Sequence, residues 1–157
     1  MNSFSRHTRQ KGFTLVEVLV SLVVMAVGML GIAALYIEGL KAGTTSVIQA
    51  NAVNLAADMA DRIRVNSGAN IAYAGAGPGT NANNCVNGAA NCNPAQLATD
   101  DWFWWNLDIL NRMPPGATAN IGVANPGGGT IFTYTILLSW PERGQLVPST
   151  YTLVFSQ

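Results

Sequence analysis

Lys11-Gly12-Phe13-Thr14-Leu15-Val16-Glu17-Val18 opens an apolar run that continues to Ile37, and the twenty residues from Val18 to Ile37 carry no charge. A helix of that length measures about 30 Å, the thickness of a bilayer's hydrocarbon core. Glu17 stands near the start of the run, and an acidic residue at the centre of a spanning helix costs about 2.5–3.5 kcal/mol. A carboxylate kept in such a place points to a task. Arg6, Arg9 and Lys11 precede the run, as basic residues precede the core of a secretory signal. Such a core, however, is only about 7–15 residues long and ends at a small-residue cleavage site. An ordinary signal anchor also fits, since Glu17 is close enough to one end to reach the interface.

The string Gly12-Phe13-Thr14-Leu15-Val16-Glu17 closely resembles the cleavage and methylation signal of type IV prepilins and type II secretion pseudopilins. The resemblance implies a prepilin peptidase that cuts on the cytoplasmic side between Gly12 and Phe13 and then methylates the new amino group of Phe13. Residues 1–12 would be the removed leader, and 13–37 the transmembrane and assembly half of a long helix. Glu17 would pair with the Phe13 ammonium of a neighbouring subunit. Physics agrees with that role, because opposite charges in a low-dielectric medium attract strongly and each relieves the other's desolvation.

The segment Ala57-Asp58-Met59-Ala60-Asp61-Arg62-Ile63-Arg64-Val65-Asn66 is similar to the helix end of PilV-type minor pilins. That resemblance implies a structural protein that helps initiate pilus assembly and sits at or near the tip, supporting adhesion and twitching motility. Its implied partners are the peptidase, other minor pilins, the major pilin, the inner-membrane assembly platform and a tip adhesin. Its implied location is the bacterial inner membrane, single-pass with a cytoplasmic N-terminus and a periplasmic head, and then the extracellular pilus. The basic leader agrees with that orientation. A minor pseudopilin of type II secretion shares the signal and the helix. A signal-anchored extracytoplasmic binding module accounts for the span but not for the placement of Glu17.

At 157 residues, 49% hydrophobic, the chain suits one domain plus a membrane helix. The formal net charge is zero, yet Arg6, Arg9 and Lys11 fall in the leader, leaving Lys41, Arg62, Arg64, Arg112 and Arg143 against eight acidic residues. The one histidine, His7, also lies in the leader. Without it the chain lacks the usual general base, the Ser-His-Asp and Cys-His arrangements and the commonest metal ligand. An enzyme would have to rest on Asp100, Asp101, Asp108 and Glu142; neighbouring acids on a helix read as its wet side, and no nucleophile or phosphate-binding loop accompanies them. No catalytic residue, metal or cofactor is therefore expected. Trp102-Phe103-Trp104-Trp105 could stack on bases, but from Ser67 onward Arg112 and Arg143 face those four carboxylates, a balance that repels phosphate. Core packing is the expectation, with no nucleic-acid partner.

Residues 38–66 read as the amphipathic half of the long helix: Ile48, Ala52, Leu55, Met59 and Ile63 share one face. No proline interrupts the chain between Phe13 and Gly77. Gly28, Gly31, Gly39 and Gly43 are expected at close helix contacts in the membrane, and Asp58 with Arg62 at an exposed ion pair worth about 0.3–0.5 kcal/mol. Residues 67–93, rich in Gly, Ala and Asn, read as loop, with Gly75-Ala76-Gly77-Pro78-Gly79 its most flexible part. Cys85 and Cys92 lie there. Too few ligands accompany them for zinc, and the spacing is not Cys-x-x-Cys. In an extracytoplasmic head a disulfide is expected, worth about 2–3 kcal/mol by loop closure.

Residues 94–157 read as a helix and a three-stranded antiparallel sheet. Asn93-Pro94-Ala95-Gln96 has the form of a capped helix start; Ala98, Trp102, Trp105, Ile109 and Met113 share a face that Trp104, Leu107 and Leu110 widen. Phe132, Tyr134, Ile136, Leu138 and Trp140 alternate with Thr133, Thr135, Leu137 and Ser139, as do Tyr151, Leu153 and Phe155 further on. A weaker strand covers Ala117 to Val123. The fold class is α+β: a pilin-like long N-terminal helix packed on a small antiparallel head with a second short helix.

Overall fold

A computed structural model describes residues 12–85, 91–125 and 127–157. Most of the expected leader, with Arg6, His7, Arg9 and Lys11, lies outside the described residues, as do Val86 to Ala90 and Pro126. The long helix α1 spans Leu15–Val65, and the chain divides into two compact units at Gly43 and Thr44.

In the first unit every described side chain is exposed. An 18-residue window of α1 has a mean hydropathy of 2.7, and none of it is buried. Water is a poor solvent for such a surface.

The second unit, Thr44 to Gln157, is the head. Here α1 becomes one-sided, with Ala52, Leu55, Met59 and Ile63 fully buried. Arg62 and Arg64 occupy the last turn of α1, where cations complement the helix dipole. Helix α2 spans Pro94–Arg112. Both bonds of its capping box are made: Gln96 N donates to Asn93 Oδ1 and Asn93 N to Gln96 Oε1, each at 2.9 Å. Pro114 and Pro115 follow its C-cap, Met113, where the helix cannot continue. The buried face of α2 holds Ala98, Trp102, Trp105, Ile109 and Met113, but Leu110 points into solvent and does not widen it.

Strands β1 (Thr118–Ala124), β2 (Thr133–Trp140) and β3 (Ser149–Ser156) form an antiparallel meander in the order β1-β2-β3. The register sets Ile136 opposite Ile121 and Leu153. Period-two alternation puts Tyr134, Ile136, Leu138 and Trp140 on one buried face, and full burial of a side chain such as Leu138 is worth about 1.5–3 kcal/mol. The result is an α+β, pilin-like arrangement of a long helix, a second helix and a three-stranded sheet.

The stretch expected as loop is more ordered than its composition suggests. Ser67–Tyr73 forms a 3₁₀ segment with a kink at Asn70, and Ala69 and Tyr73 enter the core. Beyond it, Gly75 exchanges backbone hydrogen bonds with Ile121 of β1 at 2.8 and 2.9 Å. Nor is the glycine run slack, because Gly77 and Gly79 press against α2 at positive φ. A Cβ on Gly79 would collide with the Thr99 carbonyl oxygen and come within 2.7 Å of Phe103 N. Both the φ of +72° and the lack of space exclude a side chain there. Gly79→Ala is expected to lower head stability by about 1–3 kcal/mol, read as an earlier midpoint in denaturant unfolding followed by tryptophan fluorescence.

Candidate assembly site

The start of α1 is built by Thr14. Its Oγ1 accepts from Glu17 N at 3.3 Å, and its carbonyl accepts from Glu17 N and Val18 N at 3.1 and 3.3 Å. Thr14 is therefore the N-cap and Glu17 sits in the first turn, where the helix dipole favours a negative charge. Gly12 and Phe13 precede the helix in non-helical, exposed chain. A Cβ on Gly12 meets nothing within 4 Å, so the described fold makes no demand for glycine at that position.

Glu17 is exposed among apolar side chains, and among the described residues nothing pairs with its carboxylate. Ser21 satisfies its own hydroxyl by donating to Val18 O at 2.8 Å. The polar group left to be answered on this stretch of helix is the Glu17 carboxylate.

In the head, Asp58 and Arg62 belong to a larger network than an exposed pair. Arg62 Nε donates to Asp58 at 3.0 Å, Nη1 reaches Asp101 Oδ1 at 3.4 Å, and Nη2 lies 4.0 Å from Asp108. Asp100 and Asp101 are buried, contrary to their expected place on the wet side of α2. Tyr73 explains the inward turn of Asp101: its hydroxyl donates to Asp101 Oδ2 at 2.6 Å and accepts from Asn66 Nδ2 at 3.0 Å. Asn66 also donates to Pro94 O at 2.8 Å, so one amide joins the end of α1 to the start of α2. Burial raises the Asp101 pKa, opposed by the Tyr73 hydrogen bond and by Arg62. Tyr73 itself is raised, first by burial and then by its hydrogen bond to Asp101; it stays a neutral donor.

Two indoles complete the framework. Trp105 Nε1 donates to Leu55 O of α1 at 2.8 Å, and Trp102 Nε1 to Tyr73 O at 2.9 Å. The tryptophan run thus packs inward at these two residues, its polar edges satisfied. Cys85 and Cys92 are joined by a disulfide with a Cα–Cα distance of 5.9 Å. Among the described residues no three His, Cys, Asp or Glu side chains gather as a metal site requires.

An apolar helix exposed along its first part, one carboxylate in its first turn and a small α+β head define a type IV pilin-like protein. Two family models particularise the class: residues 7–33 match the prokaryotic N-terminal methylation motif, and residues 34–103 match type IV pilin Tt1218. The sheet lies beyond both matches. No curated protein and no solved structure matches the chain. The type IV pilin family is structural and not enzymatic, so the buried Asp100 and Asp101 belong to the architecture of the head. A prepilin signal on a pilin implies processing by a peptidase and assembly with pilus components, and the apolar helix fits a membrane anchor.

Two predictions concern the head. Tyr73→Phe removes a donor from Asp101 and an acceptor from Asn66, and is expected to cost about 1–3 kcal/mol in denaturant unfolding. Glu142 accepts from Ser149 Oγ at 2.5 Å and from Thr45 Oγ1 at 2.9 Å, and these bonds hold its pKa below the ordinary 4.5. Because the folded value is the lower one, its stabilising contribution is present above pH 4.5 and is lost as pH falls through the depressed folded value. Melting temperature measured against pH should show that acid-side loss in the wild type and lack this component in Glu142→Gln.

Proposed function

We propose that the chain is a minor type IV pilin of the PilV type. It joins other minor pilins and the major pilin at the inner-membrane assembly platform, helps to initiate the filament and is carried at or near its tip, where it meets a tip adhesin and supports attachment and twitching motility. A prepilin peptidase cuts between Gly12 and Phe13 and methylates Phe13; Glu17 then pairs with the Phe13 ammonium of a neighbouring subunit. The leader stays in the cytoplasm and the head faces the periplasm until assembly carries it outside.

The observation that carries this reading is the unanswered Glu17 carboxylate on an apolar, wholly exposed stretch of α1. In hydrocarbon an isolated carboxylate is costly, and a neighbour's ammonium relieves that cost at a specific height along the helix. The glycines support the same reading: a Cβ at Gly12, Gly28, Gly31, Gly39 or Gly43 meets nothing within this chain. Gly12 suits a narrow peptidase site, and the others suit close approach by helices of other subunits. The match to a type IV pilin family model favours a pilus subunit over a secretion pseudopilin.

Glu17→Val tests the assignment. The variant should insert in the membrane and lose its leader, as read by the mass of the extracted protein, yet be missing from sheared pili. Normal incorporation would remove Glu17 from assembly, and an intact leader in the wild type would remove the processing step.

A further inference from the structure

The hairpin between β2 and β3 ends in an apolar tip that the head does not use. Leu146 is fully exposed and Val147 is 73% exposed, with Pro148 beside them. The base of the turn is anchored, because Glu142 accepts from Ser149 on β3 and from Thr45 on α1. Thr45 comes four residues after Lys41, one helical turn or about 6 Å. Glu38 and Lys41 are the first charges beyond the apolar run, the place where a spanning helix leaves the hydrocarbon. Leu146 is four residues from Glu142, at most about 14 Å of extended chain. With the roughly 10 Å that the Thr45 and Glu142 side chains and their hydrogen bond can span, connectivity keeps the tip within about 30 Å of the hydrocarbon edge, in reach of the leaflet surface.

Charge points the same way. From Arg143 to Gln157 the side chains include a single charge, that of Arg143, and the neighbouring Glu142 carboxylate is engaged with two hydroxyls. A cation next to exposed aliphatic side chains suits an anionic headgroup layer.

We propose that Leu146 and Val147, flanked by Arg143, rest in the headgroup region of the head-side leaflet while the subunit waits in the membrane. The proposal rests on the membrane-span reading of α1, and its test separates the two. The described residues include no free cysteine, so a single spin label can be placed on the full chain by Leu146→Cys, Val24→Cys or Ile71→Cys. Each variant is reconstituted in vesicles of phosphatidylethanolamine and phosphatidylglycerol, and collision with oxygen is compared with collision with a water-soluble nickel chelate. Ile71 is also exposed, at 69%, and follows the far end of α1, so it serves as the aqueous reference.

The expected result is a high oxygen-to-nickel ratio at position 24, a ratio at 146 between those at 24 and 71, and no change at 146 on diluting protein with lipid. A lipid-embedded label at 24 with 146 as aqueous as 71 overturns the contact and leaves the span intact. Shielding at 146 that disappears on dilution assigns the tip to another copy and overturns the lipid contact. An aqueous label at 24 overturns both.

Discussion

Helix α1 has to be satisfied by two different surroundings. Its residues from Ala52 to Ile63 find an apolar partner in the head, where Leu55, Met59 and Ile63 lose all contact with water. Its residues before Gly43 find none. The hydrophobic effect that closes the head therefore leaves the first unit with an unmet demand, which lipid or other apolar helices can meet. Before Glu38, Glu17 is the one charged side chain among the described residues of the first unit; apolar contact is non-directional, whereas a charge has a fixed height on the helix.

Within the head, polar groups decide how the elements meet. Trp105 donates to the Leu55 carbonyl and Asn66 to the Pro94 carbonyl, so α2 is held to α1 at two levels along its length. Tyr73 and Asp101 fill the space between them and Arg62 closes it from the solvent side. Buried polar groups of this kind cost free energy unless every member is paired. In exchange they reject arrangements that apolar packing would tolerate. Gln157 adds a further link, donating to Ile63 O from the end of the chain at 3.1 Å.

The parts of this fold that rest on local rules were legible in the sequence. Residue period gave α1 its inner face and β2 its buried side, and Asn93 with Gln96 marked the start of α2. The Gly12-Phe13 and Glu17 motif was legible as a pattern, because its meaning lies in chemistry along a short segment. What escaped was set by long-range contacts. Tyr73 reaches Asp101 across 28 residues, and nothing near Tyr73 foretells that partner. The run from Ser67 to Gly79 looked like loop because Gly, Ala and Asn have weak helix and strand preferences. Gly77 and Gly79 are there to admit the flank of α2, which small size shows only once α2 is in place. Ala69 and Tyr73, four apart, are both buried, yet Ile71 between them is apolar and exposed, so hydrophobicity along this stretch does not single out the inward pair. Asp100 and Asp101 misled for a related reason, since adjacent acids turn outward unless a distant donor holds one of them in.

The Cys85–Cys92 bridge stands directly before Asn93, the residue that caps α2. Asn83 is drawn to the same place, its Oδ1 accepting from Gln96 Nε2 at 3.5 Å. The ring therefore closes off a segment whose two ends are pinned on the head side, and the start of α2 no longer depends on what lies between the cysteines. Lengthening such a closed segment costs little, about 0.6 kcal/mol for each doubling. The bridge thus acts as a splice that keeps its two flanks in place whatever residues separate the cysteines.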